Sequence, residues 1–274
     1  MNLTPDLEKR YTTEQQSALE AQRLAQQIAF APVAFQVSRL MVKLGVFSVL
    51  SETSEGLTLS QIAEATKLSA YAVQILLEAS LSIGTVIVRD DRFLLTKAGW
   101  FLLRDKTTQV NMDFVQEVCY LGLNHLEEAL IEGKPAGLKV FGSWPTIYEG
   151  LSELSAEAQQ KWFAFDHYYS DYSFTDALNL IFEEEVHTLL DVGGNTGRFA
   201  LRCVDFNPKV QVTIMDLPQQ LSLMQEHIKG KKGADRIYAY PANLLDPAVP
   251  FPTGFDVIWM SQFLDCFSPE EVTS

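Results

Sequence analysis

Long apolar runs are missing from this chain of 274 residues. None approaches the ~20 residues that a membrane-spanning helix requires. The first residues, MNLTPDLEKRYTTEQQ, contain no apolar core of a secretory leader, so a cytoplasmic protein is expected. Cysteine is scarce and odd in number. Cys119, Cys203 and Cys266 have no metal-ligand spacing and are expected to be reduced thiols. Positive charge is also short, with a net charge of −14. The deficit is concentrated in residues 109–186, which hold 3 basic against 14 acidic side chains. An acidic chain repels phosphate backbones, which argues against nucleic acid as a partner.

What is present is 47% hydrophobic residues, enough for real cores, and a length that suits about two domains. TTEQQSALEAQRLAQQIAF is rich in good helix formers. APVAFQVSRLMVKLGVFSVL, residues 31–50, is apolar on nearly all sides, and such a helix must be covered. An intrachain core and a partner subunit are both open as the cover.

Residues 58–104 predict a helix over Gln61–Ala65 capped by Ser60, a second helix capped by Ser69, and a hairpin in GTVIVRDDRFLLT. Helix, turn, helix, hairpin is a winged helix. Its second helix usually reads DNA, but Ser69 to Ile83 contains neither Lys nor Arg. A structural or dimerising module is expected instead. Residues 109–186 are helical, acidic and aromatic. KWFAFDHYYSDYSFTDALNLIF reads either as packed aromatic core or as the wall of a pocket for a flat ligand.

From His187 the texture changes. HTLLDV, VQVTIMD, RIYAYP and FDVIWMS are short apolar runs separated by helical or loop stretches, as in a parallel sheet with crossover helices. LLDVGGNTGRFALRC predicts a strand, a tight glycine turn and a helix from about Arg198. Gly193, Gly194 and Gly197 permit close backbone approach, and Asn195 tolerates a left-handed conformation. The turn does not fit G-x-G-x-x-G, and it places Asp191 at the strand tip, where a carboxylate suits a cationic group better than a pyrophosphate. Asp216 ends the second strand, placed to take both hydroxyls of a ribose. S-adenosylmethionine carries an ammonium, a sulfonium and a ribose, and so matches both acids.

On these motifs the chain resembles the small-molecule O-methyltransferases of the plant caffeate, acetylserotonin and bacterial polyketide type. LLDVGGNTGRFA is similar to their cofactor loop and IMDLP to their ribose motif. LTLSQIAEATKLS and FLLTKAGWFLL resemble their winged-helix dimerisation domain. The resemblance implies an α/β class I methyltransferase fold, a Rossmann-like parallel sheet, behind a mainly α winged-helix domain. The expected divisions are a dimerisation domain over 1–108, a helical connector lining the substrate pocket over 109–180, and a cofactor domain over 181–274.

The resemblance also implies a homodimer through the N-terminal helices, S-adenosylmethionine as cofactor, and O-methylation of a small hydroxylated aromatic or polyketide-like metabolite. It implies that Asp191, Gly193 and Gly197 hold the methionine end, Asp216 and Leu217 the ribose, and Asn243 and Leu244 the adenine. Ser173 and Ser261 fall at further cofactor positions. Asn243 stands where the family usually has aspartate, and an amide oxygen still accepts a hydrogen bond. Asp265 stands where the family has a catalytic histidine, either as the base or as a turn residue before the next helix. The family continues for further strands beyond the fourth, so a C-terminally truncated chain is expected. Two other functions stay open: a non-catalytic cofactor-binding dimer, and a winged-helix regulator.

Overall fold

A computed structural model describes residues 11–273. The part of the leader reading that rests on residues 1–10 lies outside them. The chain divides into two compact units, Met1–Gln109 and Val110–Ser274. The expected connector and cofactor domain therefore fall in one unit.

The first unit includes α1 (Ala18–Ala29), whose N-terminus is closed by a capping box between Ser17 and Glu20. Then follow α2 (Ala31–Lys43) and α3 (Val46–Ser51), separated by Gly45 in the left-handed region at φ 79°. The helix-turn-helix pair is α4 (Leu59–Thr66) and α5 (Ala70–Ile83), and the wing is β1 (Val86–Arg89) antiparallel to β2 (Arg92–Leu95). Thr58, not Ser60, caps α4. Its side chain accepts from Gln61 N while Gln61 Oε1 accepts from Thr58 N. Ser69 caps α5 as expected. Met41, Val46, Phe47, Leu50, Ile62, Val73 and Leu77 form a core with almost no exposed surface. The apolar stretch 31–50 is thus covered on one side within the chain. Ile28, Phe30 and Val33 remain 66%, 62% and 55% exposed. A short helix, α6 (Lys97–Arg104), completes the winged fold.

The boundary falls within α7 (Lys106–Phe114), and the second unit continues through α8 (Leu126–Glu132), α9 (Ile147–Gly150), α10 (Ala156–Asp171) and α11 (Phe174–Ile181). The sheet follows as β3 (Thr188–Val192), α12 (Arg198–Phe206), β4 (Gln211–Asp216), α13 (Pro218–Ile228), β5 (Ile237–Pro241), β6 (Val257–Met260) and α14 (Pro269–Thr273). All pairings are parallel, in the order β5-β4-β3-β6. The middle strand β3 is buried on both sides, which is why TLLDV reads as an unbroken apolar run. Alternate residues face opposite layers. Leu189, Val212 and Ile214 meet α11, α12 and α13, while Leu190, Val192 and Met215 pack with Ala242, Leu244 and Phe263. Among the described residues no helix is long and apolar enough to cross a membrane.

Candidate active site

The chain runs from β3 to β4 on one side and returns to β6 on the other. The carboxyl end of β3 is therefore the switch point of the sheet, where open α/β folds form their crevice. There the chain makes the turn Gly193–Gly197. Gly193 N donates to Met215 O at 2.9 Å and Asn195 N to Asp216 Oδ2 at 3.0 Å, so the turn is tied to the end of β4. Asn195 takes a left-handed φ of 53°. A Cβ on Gly193 would stand 2.3 Å from the Phe263 ring, so glycine is required there by close approach of the loop after β6. Gly197 has a different reason. It faces Met224, Ile228 and Ile214 in the core and is the left-handed N-cap of α12.

A cavity of about 300 Å³ opens at this crevice, within the size range of small-molecule sites. Asp191, Gly193, Asp216, Leu217, Asn243, Leu244 and Ser261 all line it. Gly197 and Ser173 do not. Ser173 is exposed and its hydroxyl donates to Ser170 O at 2.8 Å, while Ser170 lines the cavity. Asp265 is exposed on a short turn outside the lining, and its neighbours Cys266 and Phe267 face inward. Of the aromatic segment, Trp162 and Phe174 face the cavity, whereas Tyr172 is 73% exposed and Phe165 stacks on Phe114.

The electrostatics are one-sided. Asp191 is 3% exposed, and its Oδ2 has no hydrogen-bond partner among the described residues. Burial, and then the neighbouring charge of Asp216, push its pKa up to about 7. Burial pushes Asp216 up to about 6, against the pull of the amides of Leu217 and Asn195. Gln220, 5% exposed, presents a second unpartnered acceptor, Oε1, on the same wall. The lone lining cation, Arg198, is bonded to Asp171. A buried carboxylate without a cation is costly, and here two are neighbours, one of them with an unpartnered oxygen. The donor set fits S-adenosylmethionine, which brings positive charge and hydrogen-bond donors together.

His167 also lines the cavity, with Nε2 3.0 Å from Thr196 Oγ1. Burial first, then the charges of Arg198 and His227, lower its pKa to about 4, so it is neutral near pH 7. Sequence reasoning missed Gln220, Asp166 and Tyr148 as lining residues. Asp166 accepts from the Asn195 side chain, a contact across 29 positions that no local pattern announces.

Residues 123–274 match the model of the O-methyltransferase domain, and residues 22–93 that of a Dimerisation2-like domain. The fold is that of the class I S-adenosylmethionine-dependent methyltransferases. The chain belongs to the O-methyltransferase domain family. Over 251 residues it is 28% identical to L-tyrosine C(3)-methyltransferase of Streptomyces lavendulae, which covers 90% of this chain and 68% of that protein. It is 24% identical over 225 residues to acetylserotonin O-methyltransferase of Homo sapiens, covering 76% of this chain and 62% of the other. The solved structure of the S-adenosylmethionine-dependent methyltransferase SibL in its apo form superposes with a TM-score of 0.65 at 25% identity, covering 89% of this chain and 72% of that one. The chain thus spans 62–68% of the length of these two curated relatives.

Proposed function

We propose that this chain binds S-adenosylmethionine at the carboxyl ends of β3 and β4 and methylates a hydroxyl of a small aromatic or polyketide-like metabolite. The observation that carries the reading is the unpartnered, buried Asp191 carboxylate beside Asp216, in a cavity whose lining cation is already engaged. When bound, the cofactor supplies a methyl group on a sulfonium, open to displacement by a nucleophile.

The chain's own residues bind and orient. Asp191 and Gln220 accept from the methionine end. Asp216 holds Leu217 N on one oxygen and Asn195 N on the other, at 2.8 and 3.0 Å. Each oxygen keeps a lone pair for a ribose hydroxyl. Leu217, Leu244 and Asn243 flank the adenine. Asn243 Oδ1 already accepts from Leu245 N at 3.0 Å and keeps one lone pair for an amino group. Ser261 faces the same space from the end of β6. Trp162, Phe174 and Trp259 exclude water from the reacting end. Asp265 takes no direct part in this reading. Burial first, with the charge of Asp265 as a smaller cause, raises the pKa of Tyr148 and of Cys266 on the cavity wall.

A second reading has one supporting observation, the likeness to a C(3)-methyltransferase. A phenolate is nucleophilic at its oxygen and at the adjacent ring carbon, so one site serves either outcome. Incubation with methyl-labelled cofactor and a panel of phenols, followed by NMR of the product, separates ether from ring methyl. Absence of cofactor binding by calorimetry to folded protein would sink both. Binding without transfer to any acceptor would leave a non-catalytic cofactor-binding protein.

The raised acids predict a proton signature. A folded pKa near 7 or 6 against an ordinary 3.8 means that the ligand-free fold keeps protons on Asp191 and Asp216 that the unfolded chain has lost. Their contribution to stability is present below the ordinary value and is lost as pH rises through 6 and 7. A cationic ligand favours the ionised forms, so binding at mildly acid pH releases protons. Calorimetric enthalpies near pH 6 should vary with the ionisation enthalpy of the buffer, and those about two units above the raised values should not. Equal buffer dependence at both would remove the two acids from the binding site.

The N-terminal helices are read as a homodimer interface, supported by the Dimerisation2-like match and by the exposed Ile28, Phe30 and Val33. Ile28→Asp with Val33→Asp should lower the mass seen by light scattering to that of a monomer. A native monomer at micromolar concentration in the unmodified protein would count against it. A cytoplasmic location fits this reading.

A further inference from the structure

The acid-rich stretch 109–186 supplies one wall of the cavity. Tyr148, Glu149, Trp162 and Asp166 come from it, and Cys266 and Glu271 close the wall from the segment after β6. Tyr148 Oη and Cys266 Sγ lie 2.8 Å apart, and the Tyr148 and Trp162 rings meet edge to face at 6.4 Å. Asp166 stands where this wall joins the glycine turn, with Oδ2 accepting from the Asn195 side chain. Burial, the Cys266 contact and then the carboxylates of Asp265 and Asp166 raise the pKa of Tyr148, so both charges reach the wall. Glu149 and Glu271 each use an oxygen to cap the short helices α9 and α14. Arg198 is engaged by Asp171 and is the lining's one arginine or lysine. The cavity's buried unpartnered groups, Asp191 Oδ2 and Gln220 Oε1, are both acceptors. Both of these buried atoms call for a donor or a positive charge.

Building on the methyltransferase reading, we propose that this wall selects the acceptor by charge. A phenol bearing an ammonium group is taken first, an uncharged phenol second, and a phenol bearing a carboxylate last, with Asp166 as the specificity-determining residue. A bound cofactor adds one net positive charge, and the two carboxylates of Asp191 and Asp216 are enough to meet it. The charges of Asp166 and Glu149 then stay on the acceptor side. A carboxylate brought to this wall meets like charge and finds no free arginine or lysine in the lining, which is discrimination by repulsion. An ammonium group meets an opposite charge instead.

Three phenols of similar size test the order: tyramine, para-ethylphenol and para-hydroxyphenylacetate. Each is titrated calorimetrically into the ligand-free protein and into protein saturated with S-adenosylhomocysteine, and kcat/KM is measured with labelled cofactor. Tyramine should bind about tenfold or more tightly than para-hydroxyphenylacetate, with a gap that narrows as salt rises. Asp166→Asn should reduce that gap to about threefold or less, read in protein saturated with S-adenosylhomocysteine. If that variant does not fold, the order and its salt dependence in the unmodified protein decide the matter. Equal or tighter binding of para-hydroxyphenylacetate, or no acceptor binding at all, overturns the proposal. Failure of S-adenosylhomocysteine to bind would overturn the methyltransferase reading separately, because the change between the parent and Asp166→Asn, which share Asp191 and Asp216, still reads the contribution of Asp166 in the ligand-free titrations.

Discussion

Asp216→Ala is expected to weaken S-adenosylmethionine binding by roughly a hundredfold or more. Two hydrogen bonds from ribose hydroxyls to a charged acceptor are lost, each worth about 1.5–3 kcal/mol, and each 1.4 kcal/mol is about tenfold in affinity. The substitution also frees the amides of Leu217 and Asn195, which Asp216 holds at 2.8 and 3.0 Å, so the glycine turn keeps only the Gly193 N to Met215 O tie to β4. Asp216→Asn separates the two effects. One carboxamide oxygen remains for an amide or a hydroxyl, and the fold loses a buried acid whose charged form burial already disfavours. Asp216→Asn should therefore keep one of the two backbone bonds and still bind cofactor more weakly. Calorimetry with unchanged affinity in Asp216→Ala would remove β4 from the cofactor site.

The parts of this site that the sequence announces are those set by strand ends. A parallel strand covered on both faces must be a short apolar run, so HTLLDV and VQVTIMD marked β3 and β4, and the first acid at each carboxyl end marked the crevice. Positive-φ demands were equally readable, because Gly193, Asn195 and Gly197 are residue types that tolerate them. Short irregular turns were not. Asp265 and Cys266 are neighbours on a turn of three residues, and only tertiary packing decides which one faces inward. Ser170 and Ser173 lie on either side of the break between α10 and α11, so helical spacing does not carry across it. Thr58 was within reach, since Gln61 stands at the third helical position from it and completes the capping box. Gln220 was not. It sits on an ordinary amphipathic helix, and its role comes from an unfilled oxygen that only the assembled crevice reveals.

The second large effect is steric. Gly193→Val is expected to destabilise the protein by about 2–5 kcal/mol, combining a left-handed conformation that a side chain resists with overpacking against a ring. At φ 70° the new Cβ would lie 2.3 Å from the Phe263 Cδ2 and 2.9 Å from Cε2. Phe263 packs with Val192, Met215 and Leu244 on one face and lines the cavity on the other, so a displaced ring enters the ligand's space. Gly230→Val is the matched control. Gly230 has nearly the same φ, 72°, but a Cβ there meets nothing within 4 Å. It should show the backbone cost alone and leave cofactor affinity unchanged. The difference between the two in thermal melts measures the crowding at Phe263. Equal melting temperatures and equal cofactor affinities would mean that the loop after β6 yields freely, and that the crevice is not the preformed, tightly bounded site its glycine turn implies. Phe263→Ala in the Gly193→Val background closes the cycle. It should recover part of the lost affinity if the ring is the obstacle, and recover none if the loss lies in the turn itself.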